Sequence, residues 1–345
     1  MIDEGLAAFL VTDLVNVRYL TGFTGSNGAV LLLADAQSWL ATDSRYQIQS
    51  TAECPDVELI VTRTGPAALL AAATDHGSRL VGFEEDDLNF SDHRTLVAES
   101  AAELVPTGPL VQRLRMVKDE YELELLRRAC AVSDQALAEV LPKVHPGVSE
   151  QEIARWLDDA MRDLTPEGPG FETIVAAGEN SAIPHHTPTG RPLSAGDLLK
   201  MDFGAKVGGY HADMTRTVVV GGPPSDWQRE IYAVVSAAQQ AGRDALSCEA
   251  SGVDVDRAAR SVVEQAGWGD AFTHGLGHGV GLQIHEAPFL GSTSPDRLAA
   301  AVPVTVEPGV YLPGRGGVRI EDTVVVHHDR VELLTTSTRE LLVLD

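Results

Sequence analysis

In the first third of the chain, short apolar runs alternate with alanine-rich stretches. The apolar runs cover residues 6–11, 29–33, 59–61 and 80–83, and an alanine-rich stretch covers residues 67–73. Short apolar runs suit buried strands and the alanine-rich stretches suit helices, so this rhythm predicts an α/β fold. Residues 105–110, with two prolines and a glycine, predict a turn-rich connection between domains. We therefore expect an N-terminal domain of residues 1–112 and a C-terminal domain of residues 113–345.

A different pattern begins at Asp119. Asp119 and Glu122 form an N-terminal helix signature, and apolar residues follow at helical spacing until Pro142. Ser149 with Glu152 repeats this signature and predicts a second helix. Two pairs of extended segments, with two more helices between the pairs, cover residues 197–205, 210–220, 302–306 and 318–326. The order helix, helix, hairpin is repeated once, which indicates a weak internal duplication of pattern.

Composition and charge narrow the class of protein. The chain has 345 residues, 44% of them apolar and 22% charged, which is typical of globular proteins and unlike disordered or fibrous ones. Its formal charge of −24 makes the surface repel nucleic acid and anionic lipid. No apolar run approaches the ~18–20 residues needed to cross a bilayer, and Asp3 and Glu4 stand where an export signal carries basic charge. We expect a cytoplasmic protein that binds neither nucleic acid nor membrane.

Four acidic residues interrupt segments that are otherwise apolar and extended. Glycines near residue 208 predict a hairpin, and a turn centred between residues 207 and 208 puts Asp202 opposite Asp213 on one face. Like charges opposed across a strand pair are destabilising unless one protonates or a cation lies between them. This pair alone also fits an exposed hairpin. Glu307 and Glu321 add two more acids within apolar strands, where an unpaired charge is expensive, so the four together favour a metal site.

Three histidines, His274, His278 and His285, lie in one glycine-rich segment. This segment lacks the G-x-G-x-x-G register of a dinucleotide loop, and no second histidine completes an H-E-x-x-H motif after His285. Four carboxylates with an imidazole are a hard donor set that suits a pair of Mn²⁺, Co²⁺, Fe²⁺ or Zn²⁺ ions. Because no G-x-S-x-G nucleophile elbow occurs, the predicted chemistry is two-metal hydrolysis.

Five sequence blocks occur in order between residues 119 and 345: IPHH, MDFGAKVGGYHADMTRT, THGLGHGVGLQIHE, VEPGVY and GVRIEDT. Together they resemble the pita-bread metallopeptidases, in particular the branch that contains aminopeptidase P and prolidase. Near the N-terminus, LVNVRYLTGFTGSNGAVLLL resembles the smaller leading domain of that branch. The resemblance implies an α/β, creatinase-like N-terminal domain followed by an α+β pita-bread catalytic domain.

The resemblance also implies a set of metal ligands. Asp202 would bind one ion, His278 and Glu307 the other, and Asp213 and Glu321 would bridge the two. Glu307 would in addition take a proton from the attacking water and pass it to the leaving nitrogen. Of the divalent ions that such ligands accept, Mn²⁺ is the first expectation, with Zn²⁺ and Co²⁺ as alternatives.

Further residues would bind the substrate or support the ligands. By the resemblance, His185 and His285 would hold the scissile carbonyl, the oxyanion and the residue after the cut. His274 and Arg319 would lie behind the ligands or in the proline pocket, although Arg319 also fits a simple ion pair within its strand. His211 is a further candidate close to the ligands. His186 directly follows His185 in the sequence and is the less favoured choice for the same role.

Two peptidase activities fit these motifs. An Xaa-Pro aminopeptidase removes the first residue of peptides that have proline second, whereas an Xaa-Pro dipeptidase must also bind the free carboxylate of the dipeptide. Relatives of the second kind tend to carry an arginine soon after the His-Glu-x-Pro segment, where this chain has Phe289. We therefore expect an aminopeptidase, with the dipeptidase as the alternative. A non-catalytic binding domain is a remote third reading, because all five ligand positions are filled. The resemblance also implies a homodimer.

Overall fold

The structure, a computed structural model, describes residues 5–345. Asp3 and Glu4, on which part of the export prediction depends, lie outside the described residues. Contacts divide the chain into two compact units, the first ending at Arg115 and the second running Met116–Asp345. The domain limits 1–112 and 113–345 stay a prediction. Among residues 5–345, no helix combines the length and the apolar character that a membrane crossing requires.

The first unit is a sheet covered by helices. Its elements are β1 (Ala8–Val11), α1 (Leu14–Thr21), β2 (Gly28–Leu33), β3 (Ser38–Thr42), α2 (Gln47–Glu53), β4 (Glu58–Val61), α3 (Gly65–Asp75), β5 (Leu80–Glu84), α4 (Phe90–Glu99), β6 (Glu103–Thr107) and α5 (Leu110–Met116). The six strands lie in the order β4-β3-β2-β1-β5-β6, and only β2 runs antiparallel to its neighbours. Alternating strands and helices around a largely parallel sheet confirm the predicted α/β fold.

The second unit contains two larger sheets, each covered by a pair of helices, and two small two-stranded sheets. Its elements are α6 (Glu120–Val140), α7 (Glu150–Leu164), β7 (Ile174–Ala177), β8 (Leu198–Phe203), β9 (Lys206–Val207), β10 (Tyr210–His211), β11 (Met214–Val220), α8 (Asp226–Asp244), α9 (Gly252–Gln265), β12 (Gly277–Gly279), β13 (Glu286–Leu290), β14 (Val302–Val306), β15 (Gly309–Leu312), β16 (Gly316–Arg319), β17 (Asp322–Val326), β18 (Val331–Leu333) and β19 (Val343–Leu344). One larger sheet has the order β19-β11-β8-β7 and the other β13-β12-β14-β17-β18, and the small sheets pair β9 with β10 and β15 with β16. This α+β arrangement agrees with the predicted class.

Each sheet of the second unit shares an apolar core with its own helices. The core of the first sheet combines residues of α6 and α7, such as Leu137 and Leu157, with Leu199 and Val218 of the strands. The core of the second sheet combines residues of α8 and α9 with those of β13, β14 and β17. Both predicted helix starts are confirmed, since α6 and α7 each begin with a complete capping box. The two rigid sheets therefore supply a fixed frame for the side chains at their strand ends.

The predicted register of the β8–β11 hairpin is wrong. Asp202 pairs with Thr215 rather than with Asp213, and His211 pairs with Lys206. The turn is centred on Gly208 and Gly209, whose φ angles of 60° and 89° allow a tight two-residue turn one position later than predicted. Moving the turn by one position moves the partner of each residue by two positions. Asp213 therefore no longer faces Asp202 and lies just before β11 begins.

Candidate metal centre

Five of the predicted ligands lie at or next to strand ends in the second unit. Asp202 is near the end of β8 and Asp213 precedes β11, while Glu307 directly follows β14. His278 is the central residue of β12. Glu321 occupies the break between β16 and β17, in a segment that the sequence predicts as one continuous strand. Because strand ends of both sheets meet here, residues far apart in the sequence converge.

The convergence forms three overlapping groups of donor atoms, each within 4.8 Å of one another: Asp202, Asp213 and Glu321; His278, Glu307 and Glu321; and Asp213, His278 and His285. Asp213 and Glu321 each belong to two of these groups, and His278 does as well. All five predicted ligands are thus brought together, and His285 joins them. Overlapping groups of this kind offer donors for more than one ion.

The acids of the cluster are buried and incompletely paired. Asp202 and Glu321 are 7% and 1% exposed, yet Asp202 Oδ1 and Glu321 Oε1 have no hydrogen-bond partner. Burial, together with the charges of Glu321 and Asp202, raises the pKa of Asp213 well above its usual value. Burial and the charges of Glu307 and Asp202 do the same to the pKa of Glu321. A divalent cation would compensate neighbouring buried carboxylate oxygens that have no hydrogen-bond partner. The residues present therefore fit such an ion.

One protein cation lies inside the cluster. The guanidinium of Arg319 is 2% exposed and donates to Asp202 Oδ2, and its Nε donates to Thr215 Oγ1 at 3.0 Å. Its Nη1 donates to Tyr311 Oη at 2.8 Å, and its Nε lies 4.0 Å from Glu307 Oε2. A single guanidinium offsets only part of the negative charge of four carboxylates. Arg319 is therefore more than a partner in a strand ion pair.

Glu307 and His278 form the closest acid–imidazole pair of the cluster. Nε2 of His278 lies 3.3 Å from Glu307 Oε1 and 3.6 Å from Asp213 Oδ2. Burial alone would raise the pKa of Glu307, but the hydrogen bond and charge of His278 and the charges of His274 and Arg319 lower it to about 2. Glu307 is thus held in the ionised state.

The other predicted histidines occupy different surroundings. His185 and His285 are exposed and line both clefts at the cluster, and the His285 ring lies 4.4 Å from that of His278. His274 Nε2 lies 2.9 Å from Tyr311 Oη, which in turn accepts from Arg319. His274 is thus linked to Arg319 by hydrogen bonds through Tyr311, and its charge also acts on Glu307. Its expected place behind the ligands or in the proline pocket stays a prediction.

Two histidines are hydrogen-bonded to groups outside the donor cluster. His211 Nδ1 lies 2.9 Å from the Gly281 carbonyl oxygen, and the side chain is not among the described residues that line the two clefts. His186 also lines the smaller cleft, but its ring is buried, with Nε2 donating to Glu150 Oε2 at 2.9 Å. Of the adjacent pair, His185 is the exposed one and lines both clefts.

Several residues that shape the centre were not predicted. Lys200 is fully buried, and its Nζ donates to the carbonyl oxygens of Ile183 and Pro184 at 2.6 and 3.1 Å. Burial is the main cause that lowers the pKa of Lys200 to about 6, and the positive charge of Arg319 adds to it. In the sequence, Lys200 could have been noticed as a lysine within the otherwise apolar run that forms β8. Tyr311 carried no comparable signal, because its role depends on contacts with His274 and Arg319 from other segments.

Two clefts lead to the cluster. The larger has a volume of about 670 Å³ and runs from His278 and Arg319 past His274 to Phe289 and Ser292. The smaller, of about 260 Å³, is lined by all four acids and by apolar side chains, among them Phe171, Ile174 and Ile284. The larger cleft falls in the range of roughly 300–1,000 Å³ that is typical of ligand sites. The acidic lining of the smaller one favours a positively charged group.

The fold and this donor cluster together define a metallopeptidase of the pita-bread class. The chain belongs to metallopeptidase family M24, whose profile matches residues 124–328, and the Creatinase/Prolidase N-terminal domain matches residues 1–117. The resemblance to the aminopeptidase P and prolidase branch, drawn from the sequence blocks, and the predicted fold class are thereby confirmed.

Similar proteins carry both of the predicted activities in their names. The uncharacterized peptidase YqhT of Bacillus subtilis is 37% identical over 343 residues, which are 99% of this chain and 96% of that protein. The structure of an Xaa-Pro dipeptidase from Bacillus anthracis has a TM-score of 0.95 and 36% identity, covering 99% of this chain and 96% of that one. An X-Pro aminopeptidase from Thermotoga maritima has a TM-score of 0.90 and 34% identity, covering 98% of both chains. Relatedness alone therefore leaves the choice between the two activities open.

Proposed function

We propose that this protein is an Xaa-Pro aminopeptidase that uses two divalent metal ions, Mn²⁺ in the first instance. The observation that carries the proposal is the buried cluster of four carboxylates and His278, two of whose acid oxygens lack a partner. Asp202, His278 and Glu307 would hold the ions individually, with Asp213 and Glu321 shared between them. Hard oxygen donors favour Mn²⁺ over softer ions. When bound, the ions polarise the scissile carbonyl and lower the pKa of the attacking water.

The chain's own residues supply binding, orientation and proton transfer. The apolar residues that line the smaller cleft accept the first side chain of the substrate. His185 and His285, exposed at the junction of both clefts, donate to the oxygen of the scissile carbonyl as negative charge develops on it. Glu307, held ionised beside His278, accepts a proton from the attacking water and delivers it to the prolyl nitrogen.

The proline and the residues after it occupy the larger cleft. His274, Tyr311 and Arg319 form a chain of hydrogen bonds at its inner end, and this chain fixes the wall next to the reacting carbonyl. Phe289, which is 48% exposed, provides an apolar surface further out. A peptide that continues beyond proline can follow this cleft outward.

The choice of aminopeptidase over dipeptidase rests on the cations of the larger cleft. A dipeptidase needs a positive charge for the free carboxylate of proline. The two guanidiniums that line the cleft are those of Arg260 and Arg319. Arg260 pairs with Asp256 and donates to the carbonyl oxygens of Phe272 and His274, and Arg319 is engaged by the cluster. Both are thus committed to protein partners, which favours substrates with an uncharged peptide bond after proline.

A peptide panel tests this proposal. Purified protein loaded with Mn²⁺ is assayed on Ala-Pro, Ala-Pro-Ala and Ala-Ala-Ala, with Asp213→Asn as the inactive control. We expect release of alanine from Ala-Pro-Ala at a higher kcat/KM than from Ala-Pro, and no cleavage of Ala-Ala-Ala. Faster cleavage of Ala-Pro would support the second candidate, an Xaa-Pro dipeptidase, which the name of the similar Bacillus anthracis protein favours. Sedimentation tests the accompanying prediction of a homodimer.

A further inference from the structure

A second buried carboxylate hub lies outside the metal centre, at Glu150. This residue is the first of α7 and is fully buried. Its Oε1 accepts from the Ala177 amide at 2.8 Å and from Asn180 Nδ2 at 2.9 Å. Its Oε2 accepts from His186 Nε2 at 2.9 Å, from the Thr189 amide at 3.0 Å and from Thr189 Oγ1 at 2.6 Å. Five donors therefore converge on one side chain.

This arrangement is more than the capping of a helix. The helix start is already capped by Ser149 and Glu152, whose side chain and backbone bond to each other. Burial would raise the pKa of Glu150, but hydrogen bonds led by those of Thr189, Asn180 and Ala177 lower it below its usual value. Burying a charge is expensive unless it is fully hydrogen-bonded, so a fold retains such a residue where its bonds fix something.

All five donors belong to the segment 177–189, which contains His185. On the far side of this segment, Lys200 donates to the Ile183 and Pro184 carbonyl oxygens, and Arg319 Nη1 donates to that of Pro184 at 3.3 Å. The residues just before His185 are thus held by Lys200 and Arg319, which lie at the metal centre. The residues just after His185 are held by Glu150.

We propose that Glu150 is a positioning residue for His185, fixing the segment 177–189 so that the exposed imidazole stays at the junction of the two clefts. The activity readout of this proposal rests on the proposed function. Glu150 itself touches neither cleft among the described lining residues. It acts through His186 and Thr189, which bracket the loop on the carboxyl-terminal side of His185.

The first test replaces Glu150 by glutamine. Glu150→Gln keeps the size of the side chain but sets an amide NH₂ against two or three of the five donors. Disturbing the residue that orients an active-site group typically lowers activity about 10- to 100-fold, and we expect this loss in kcat with KM nearly unchanged. Metal content should stay at the wild-type value, because no ligand is altered. The control is Glu152→Gln in the same helical turn, whose carboxylate bonds only to Ser149 and which should keep wild-type kcat.

Hydrogen exchange supplies a readout that does not depend on activity. In Glu150→Gln, the NH₂ group takes the place of one carboxylate oxygen, so either the Ala177 amide or the Thr189 amide loses its acceptor. Peptides covering residues 177–189 should therefore exchange faster, while peptides from β8 should not. If the wild-type protein cleaves no Xaa-Pro substrate but this local change appears, the proposed function fails and the positioning role stands. If exchange is unchanged in the segment, the positioning role is refuted.

A double variant separates positioning from general damage. If Glu150 acts through His185, adding Glu150→Gln to His185→Ala should cost less than twofold further in kcat. A full additional loss would overturn the proposal, because it would mean that Glu150 supports activity by another route. Should Glu150→Gln fold poorly, Thr189→Val replaces it in every assay. That variant removes one hydroxyl donor at an exposed residue, and wild-type kcat together with wild-type exchange in Thr189→Val would also refute the role.

Discussion

Arg319 is the permanently charged cation inside the described acid cluster, so its removal tests how the charge of the centre is balanced. In Arg319→Met the side chain keeps much of its length but loses its donors to Asp202, Thr215 and Tyr311. Two unit charges 4 Å apart attract by about 4 kcal/mol at an effective dielectric constant of 20. Removing one member of a buried pair typically costs about 3–5 kcal/mol. We expect a destabilisation of that order in the metal-free protein.

The expected change is large enough to measure by thermal unfolding. For a unit of the size of Met116–Asp345, a loss of 1 kcal/mol lowers the midpoint by about 2–4 °C, so the chelator-treated variant should unfold roughly 6–20 °C below wild type. Added Mn²⁺ should reduce this deficit by at least half, because bound cations take over part of the charge compensation.

A second buried pair provides the matched control. Lys118 Nζ lies 2.5 Å from Glu286 Oε1, with both side chains buried, and neither belongs to the donor groups. Lys118→Met should lower the midpoint to a similar degree, and Mn²⁺ should leave that deficit unchanged. If Mn²⁺ affects both variants equally, or if Arg319→Met costs less than about 1 kcal/mol, the charge-balance argument is refuted.

Three further predictions follow from the same geometry. Chelation should abolish peptide hydrolysis and lower the unfolding midpoint. Adding Mn²⁺ at a hundredfold excess over its Kd should restore about 2.7 kcal/mol of unfolding free energy per site, and calorimetry that detects no stabilisation would contradict this. Phe289→Arg should raise kcat/KM for Ala-Pro relative to Ala-Pro-Ala by about tenfold, because a new ion pair with the free carboxylate of Ala-Pro would contribute about 1.4 kcal/mol. An unchanged ratio would show that position 289 does not determine this specificity. The hydrogen bond from Arg127, followed by that from His327, lowers the pKa of Glu332 from 4.5 to about 2. Because the folded-state pKa is the lower one, this pair stabilises the protein above about pH 4.5 and is lost as the pH falls towards 2. Unfolding curves of wild type and Arg127→Gln should therefore converge over that range, and parallel curves would exclude the pair as a source of acid sensitivity.

The sequence predicted those features that depend on local pattern. The capping boxes of α6 and α7 are read from residues three apart, so Asp119 with Glu122 and Ser149 with Glu152 were sufficient. The hairpin register was not predicted, because glycines at both 208 and 209 allow more than one turn centre and only the structure fixes their φ angles. The wrong register still placed the aspartates near the same site, since Asp213 follows the turn closely in either pairing.

Residues that act through long-range contacts escaped prediction for a physical reason. Lys200 reaches the carbonyl oxygens of Ile183 and Pro184, and Glu150 gathers donors from residues 177–189, yet neither set forms a periodic or spaced motif. A glutamate at the start of a helix is expected for helix stability alone. Only the folded chain distinguishes a residue that stabilises its own helix from one that fixes a segment about 30 residues away.

The adjacent acids Glu321 and Asp322 mark the limit of sequence reasoning most clearly. Both are essentially fully buried in the same extended segment, and both violate the rule against buried charge. Asp322 is satisfied by Arg216, Gln239 and Thr335, and it joins β17 to its neighbours. Glu321 accepts from a single hydroxyl, that of Thr215, and its Oε1 has no partner. Burial alone therefore does not identify a ligand. What separates the structural acid from the proposed ligand is whether the protein itself supplies the compensating donors, and at Glu321 one carboxylate oxygen is left without a donor.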